Sequence, residues 1–494
     1  MTNKKINLKP LIVTVLMLLI AMAAHAVNPK TQYTITIKNL AERQAHIRYT
    51  FMPKSDTLSM APGANQLPDR WATFISNVKL QDSNNQEYAI QDLDNATWLM
   101  RAPHNQTLTL SYTVNLTHED YTWSSGLDGV AFNTDWGIFA TTRALLIVNG
   151  NQHTNITVTC QLPKDWKLTT TWQRTPHTNN QYHVSNTEEL TQSMLFMGYQ
   201  EEIIIEKDHL KLIFALGGES VIAKKDFYAN MASGVLEYYE NLMGGLPKLP
   251  SATFAVFINT ANATDGEVIG NNISILIEQE GDAMSEVIAN FIFAHEFFHL
   301  WNGKTFLPVD ETMEWFKEGF TNYYTLKALY QIGYLNQDSF TGALNNLFYN
   351  KYHHDEGLGT IAMVQGDQKH DHWGLIYGGG LFAGIAQDIN IRLNSHNTHS
   401  LDDLMRDLYT NHAGADKAYT MQDLKNKLES LNGSDLTTFF QDYIYGTKTI
   451  PIADYLTQAG FDAQIEGDQL IKQPQENASG LQQAIIQGIF GLQE

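Results

Sequence analysis

Between about residues 30 and 215, hydrophobic positions alternate with polar ones, and beyond that the period changes. Runs such as Tyr33-Thr34-Ile35-Thr36-Ile37 and Leu108-Thr109-Leu110-Ser111-Tyr112 put an apolar side chain at every second position, the pattern of strands with one face buried. Clusters at Asn84-Asn85 and Asn149-Gly150-Asn151 punctuate them, as the turns of an antiparallel sandwich require. From about Ala223 onward, Phe227, Met231, Val235, Tyr238 and Leu242 recur at spacings of three and four, which predicts one face of a helix. The change of period predicts a β-sandwich-like domain over 27–215 and a second domain from 216. In the second, the apolar runs 252–258 and 273–277 read as strands, with helices expected over about 284–301 and 310–330. A terminal amphipathic helix is expected over 481–492.

The N-terminus departs from both periods. Lys4, Lys5 and Lys9 precede an apolar run over 11–24 that closes on Ala24-His25-Ala26. A basic start, a short apolar core and a small-residue end predict a signal peptide over 1–26. The run is shorter than the roughly 20 residues needed to span a bilayer, and no later stretch is long and apolar enough. The mature chain is therefore expected to be exported, periplasmic or extracellular, with no membrane span.

Composition narrows the class. The chain has 494 residues, 43% of them hydrophobic and 17% charged, which suits several folded domains rather than a disordered chain. Its formal net charge is −21, and loss of 1–26 removes three lysines and no acid, leaving 29 basic residues against 53 acidic ones, or −24. Such a surface repels phosphate backbones, so nucleic acid is excluded as a partner. Cys160 is the only cysteine, so any metal site must be built from histidine and carboxylate.

The chemistry sits in His295-Glu296-Phe297-Phe298-His299. Histidines four apart project from one helical face, where two neutral ring nitrogens can meet one zinc ion. Glu296, between them, is placed to act as general base for an attacking water. Two buried core histidines would give the same pattern. Glu318 favours the metal, because a hairpin of the two expected helices returns it to the histidines as a third ligand. Three ligands leave the fourth position open, as catalytic zinc sites do. One Zn2+ per chain is expected at His295, His299 and Glu318.

The residues around this site resemble the gluzincin metallopeptidases, and the glycyl aminopeptidase family in particular. The likeness lies in His295–Asn302 and Trp315–Tyr324, and continues through Tyr377-Gly378-Gly379-Gly380, Ile391-Arg392, Ser400–Arg406 and Phe439-Phe440. Upstream, Leu190–Ser193 with Gly198 looks like the family's link between its β and catalytic domains. The resemblance implies a multidomain α+β fold: an N-terminal antiparallel β domain, a thermolysin-like catalytic domain over 216–335 and a C-terminal α-helical domain over 336–460. Residues 461–494 are then a tail, too short for the PDZ domain that family members often carry, so the chain looks like a shortened member. The activity implied is peptide-bond hydrolysis of the aminopeptidase type, with a peptide or protein as substrate.

The resemblance also implies roles for further residues. Tyr377 matches the tyrosine of a Tyr-x-Lys-Gly segment that donates to the oxyanion in related enzymes, although the lysine position here is Gly379; a packed core aromatic is the plainer reading. His372 and Tyr323 are weaker substitutes for that donor. Asn322 stands where the family leads one to expect an aspartate that accepts a hydrogen bond from a metal-bound histidine. On the substrate side, the run from Glu267 through Gly270 and Asn271 to Ser274 aligns with the segment that binds the peptide. Gly270 falls where relatives carry the carboxylate that holds a free α-ammonium, so Glu267 or Glu278 would have to replace it. The strand over 273–277 is expected to bind a peptide backbone at the sheet edge. Two classes remain: a zinc peptidase with a relaxed need for a free N-terminus, and a catalytically impaired peptide-binding protein derived from one.

Overall fold

The structure is a computed structural model that describes residues 31–123, 129–178, 180–249, 253–262, 264–278 and 283–490. The expected signal peptide lies outside the described residues. The chain divides into two compact units, residues up to 202 with 267–274, and residues 203–266 with 275–494.

In the first unit the alternating segments pair as strands. β1 (Gln32–Thr36), β2 (Gln44–Phe51), β3 (Ile75–Asp82), β4 (Leu108–Asn115), β5 (Thr154–Gln161) and β6 (Gln181–Asn186) lie in an eight-stranded sheet in the order β6-β5-β1-β2-β4-β3. Neighbours are antiparallel except β1 and β5, which run parallel. The inward positions of β2, Ala45, Ile47, Tyr49 and Phe51, are buried. Tyr33, Tyr49 and Phe51 stack at successive centroid spacings of 4.2 Å, which adds ring contact to the area removed from water. A second, four-stranded sheet contains Gly137–Thr141 and Met194–Gly198.

A further sheet of five strands is built from β7 (Glu201–Lys207), β8 (Leu210–Gly217), β9 (Thr253–Ala261), β10 (Asp265–Ile269) and β11 (Asn272–Glu278), in the order β7-β8-β9-β11-β10. The second unit begins at 203, and within this sheet β8 lies between β7 and β9, parallel to β9. Alternation reports a half-buried strand but not which sheet it joins. The predicted strand 273–277, found as β11, is interior, and β10 occupies the edge where a peptide backbone was expected to add. Its sequence, Asp265-Gly266-Glu267-Val268-Ile269, is too polar to stand out, as suits an edge strand.

The helices of the second unit include α1 (Lys225–Met243), α2 (Ala283–Phe298), α3 (Glu314–Gln331), α4 (Gly379–Asn394) and α5 (Gly480–Phe490). On α1 the buried face takes in Tyr228 and Tyr239, one position along from the predicted Phe227 and Tyr238. α3 and α4 approach backbone to backbone. A Cβ on Gly319 would fall 2.2 Å from the carbonyl carbon of Gly380, and one on Gly380 would fall 2.0 Å from the Trp315 carbonyl oxygen. The crossing is pinned by fully buried Asp388, which accepts from Tyr323 Oη at 2.6 Å, Arg392 Nε at 3.0 Å and the Leu401 amide at 2.9 Å. Such a charge is tolerated inside because its lone pairs are met.

The fold is multidomain α+β, with the β strands first, then the catalytic region and a helical C-terminal part, and residues 461–490 pack within the second unit. Phe461–Glu466 and Gln469–Pro474 form a hairpin, and α5 buries Ile485, Ile486, Ile489 and Phe490. The Asn345 side chain exchanges two hydrogen bonds with the Leu470 backbone, at 3.1 and 2.8 Å, and Arg392 donates to the Gly488 carbonyl at 3.3 Å. Among the described residues, no helix is long and apolar enough to cross a membrane.

Candidate active site

Helices α2 and α3 form the hairpin that the sequence predicts, and it brings the three expected ligands together. His295 Nε2 lies 3.0 Å from His299 Nε2, and Glu318 Oε2 lies 3.3 and 3.1 Å from those two nitrogens. Glu296 Oε1 is 3.9 Å from His295 Nε2, outside this triangle but beside it. Glu318 is only 4% exposed and His295 7%, so water does not screen the cluster.

The donor set fits a zinc ion. Four ligands at about 2.0–2.1 Å in a tetrahedron stand about 3.3–3.4 Å apart, and the three atoms here are 3.0–3.3 Å apart. Two ring nitrogens and a carboxylate oxygen so close in a dry site need a proton or a cation between them. Burial opposes a charge on His299, yet Glu318 beside it raises its pKa. Burial likewise opposes ionisation of Glu318, but His299, hydrogen bonds from both histidines and Lys317 hold its carboxyl well below the usual range.

The orientation of His299 is set from behind. Its Nδ1 donates to the Asn302 carbonyl at 2.8 Å, which turns Nε2 toward the ligand triangle and, in the neutral ring, makes Nε2 the free lone pair. Asn302 is fully buried, and its amide nitrogen donates to the Lys317 carbonyl at 3.0 Å and Thr321 Oγ1 at 3.2 Å, tying the end of α2 to α3. Asn322 does not accept from either histidine. Its Nδ2 donates to the Tyr377 carbonyl at 3.3 Å, while Asn322 Oδ1 and His295 Nδ1 are buried without a partner among the described residues. An amide binds backbone as readily as an imidazole, and the one-turn spacing from Glu318 did not decide between them.

Tyr377 lies in a π-helical turn, Gly374–Gly378, that leads into α4. Its ring stacks on Trp373 at 5.1 Å and stands 6.4 Å from the His295 ring. Burial pushes its phenol upward, and the charges of Glu318, Glu296 and Glu314 push it further, so the hydroxyl stays protonated at neutral pH, as a hydrogen-bond donor must be. The alternatives are less apt. Tyr323 spends its hydroxyl on Asp388, and His372 Nδ1 is 2.8 Å from Asp355 Oδ1.

Three residues beside the ligands escaped the sequence reading. Glu314 Oε1 and Oε2 each meet an ammonium at 2.6 Å, Lys317 and Lys369 respectively. Both lysines also approach Glu318 Oε1, at 3.3 and 3.4 Å. Glu314 and Lys317 were visible as helix neighbours of Glu318, but nothing in the sequence joins Lys369 to them.

The expected substrate residues lie in the first unit's segment 267–274 or at its edge. Glu267 Oε1 is 3.5 Å from Arg143 Nη2. Gly270 and Asn271 make the turn between β10 and β11. Gly270 has φ +57°, and a Cβ there would fall 2.6 Å from the Gln192 carbonyl oxygen, so this position does not accept a glutamate. Glu278 accepts from Ser285 Oγ at 3.1 Å.

The chain is similar to known proteins in fold and, over two segments, in sequence. In structure, the chain is similar to an aminopeptidase N family protein from Idiomarina loihiensis, with a TM-score of 0.72 and 17% identity over 88% of this chain and 79% of that one. A second similar structure is aminopeptidase A of Legionella pneumophila in complex with aspartic acid, with a TM-score of 0.49 and 12% identity over 85% of this chain and 49% of that one. No curated protein matches the sequence. Residues 32–199 match the Peptidase M61 N-terminal domain, and residues 290–366 match the M61 glycyl aminopeptidase domain. Since the strands of the first unit and the helix hairpin of the second answer to two domains of one family, the matches support the M61 peptidase family for this chain.

Proposed function

We propose that this chain is a zinc-dependent peptidase in which His295, His299 and Glu318 hold one zinc ion and Glu296 is the general base. The observation that carries the reading is the triangle of ligand atoms, 3.0–3.3 Å on a side, with Glu296 beside it. A zinc ion held there would polarise the scissile carbonyl and acidify a water. Glu296 takes the proton of the attacking water and passes it to the departing amine. Tyr377 donates from its phenol to the oxygen on which negative charge develops. Peptide or protein is the substrate, and the basic, apolar N-terminal run favours export.

The purified mature chain is expected to contain about one zinc per molecule, to lose peptide hydrolysis on chelation and to regain it with zinc. Elemental analysis that finds no metal after zinc supplementation would sink the reading. Bound zinc and bound peptide without turnover would instead identify the peptide-binding descendant.

Terminus selection follows from the crowding at Gly270. Without a carboxylate there, and with Glu267 facing Arg143, the free ammonium of a peptide has no dedicated anion on this segment. Loss of such a charge-assisted contact removes about 1.5–3 kcal/mol, or ten- to more than a hundredfold in discrimination. N-acetylated peptides are therefore expected to be cut at rates comparable with their free-amine counterparts, as read by mass spectrometry of paired digests. Trimming of free-amine peptides alone, abolished by Glu267→Gln, would assign the anchor to Glu267 and refute this expectation.

A further inference from the structure

Glu314, Lys317, Glu318 and Lys369 form a closed ring of alternating charge. Glu314 grips both ammonium groups at 2.6 Å, and both then face a single oxygen, Oε1 of Glu318, at 3.3 and 3.4 Å. The other oxygen, Oε2, is the one turned to His295 and His299. The two carboxylate side chains are 8% and 6% exposed and the two lysines 20% and 21%. Exposed ion pairs contribute little, whereas a ring this dry is strongly felt and costly to leave half-made.

The backbone supports the ring. Glu314 and Glu318 are one turn apart on α3, so their like charges share a face and would repel without the lysines between them. Lys369 arrives from outside the helix, just after the short turn Gly366–Gln368. A Cβ on Gly366 would fall 1.8 Å from the Glu311 carbonyl oxygen, so only glycine lets this turn lie against the start of α3.

We propose that Glu314, Lys317 and Lys369 are positioning residues that hold Glu318 Oε1 out of the metal's coordination sphere, so that Glu318 binds through Oε2 alone. A carboxylate free to rotate offers both oxygens and fills a further coordination position, the one a peptidase keeps for water and substrate. The lysines engage one oxygen and leave the other. This inference rests on the zinc reading above and adds the mode of binding.

Cobalt(II) reports it, because four-coordinate and five-coordinate cobalt differ in the strength of their visible absorption. The full chain, exchanged into cobalt(II), is expected to show the intense band of a four-coordinate site. In Lys369→Met, and independently in Glu314→Gln, the cobalt-loaded protein is expected to lose roughly half or more of that absorptivity as Glu318 swings to bind through both oxygens, with the band restored in Lys369→Arg. Far-ultraviolet circular dichroism checks that each variant is folded, and Lys369→Met stands alone if Glu314→Gln does not fold. Variants that bind cobalt with the wild-type band overturn the clamp and leave the metal site standing. A wild-type chain that takes up no cobalt or zinc overturns the metal reading itself.

Discussion

Glu296→Gln is expected to keep about one zinc per chain and to lower kcat for peptide cleavage by about a hundred- to ten-thousandfold, with KM little changed. Glutamine fills the same space and keeps a hydrogen-bonding carbonyl but has no carboxylate to take a proton. Glu296 Oε1 stands 3.9 Å from His295 Nε2, whereas Glu318 Oε2 stands at 3.3 Å. That places Glu296 beside the ligand triangle rather than in it. Burial lowers the pKa of nearby Lys304, and the negative charge of Glu296 opposes this, so the variant also leaves a half-buried cation less compensated. A modest loss of stability therefore accompanies the loss of rate. Steady-state kinetics and metal analysis on one preparation separate the roles: native kcat would remove Glu296 as the base, and loss of zinc would make it a ligand.

Gly319→Ala is expected to destabilise the second unit by about 3 kcal/mol, at the upper end of what overpacking costs, and to weaken metal retention with it. The new Cβ meets backbone, the Gly380 carbonyl carbon at 2.2 Å and its Cα at 2.3 Å, and backbone inside two packed helices cannot move aside like a side chain. Relief requires α3 and α4 to part. Glu318 is the preceding residue on α3, and Tyr377 sits just before α4, so parting them displaces the proposed ligand and the proposed donor together. Gly342→Ala is the control, because a Cβ there meets nothing within 4 Å, and replacing glycine within a helix raises stability by up to about 1 kcal/mol. Urea unfolding of the two variants decides the point. Equal stability of Gly319→Ala and wild type would mean that the helices have room to spare.

Much of the site was legible because helical periodicity is a local property. His295 and His299 share a face by virtue of being four apart, and that remains true wherever the helix lies. Glu318 was reachable because two adjacent helices joined by a short connection fold back on each other. The alternating residues of β1, β2 and β4 likewise declared half-buried strands before any partner was known.

What the sequence by itself determined is therefore the type of the strongly periodic elements, and which candidate ligands share the face of one helix. Only the tertiary structure decided which elements became neighbours. β7 and β8 alternate like the strands before them yet join β9 in another sheet, and β11 lost the edge to a polar strand that no period announces. Lys369 reaches Glu314 and Glu318 across 55 and 51 residues, and Asn322 turned to the Tyr377 carbonyl rather than to a histidine. The physical reason is the same in each case. Propensity and periodicity act over one or two turns of chain, whereas sheet order, buried charge pairing and the close crossing at Gly319 and Gly380 are settled by what the folded backbone leaves within a few ångströms.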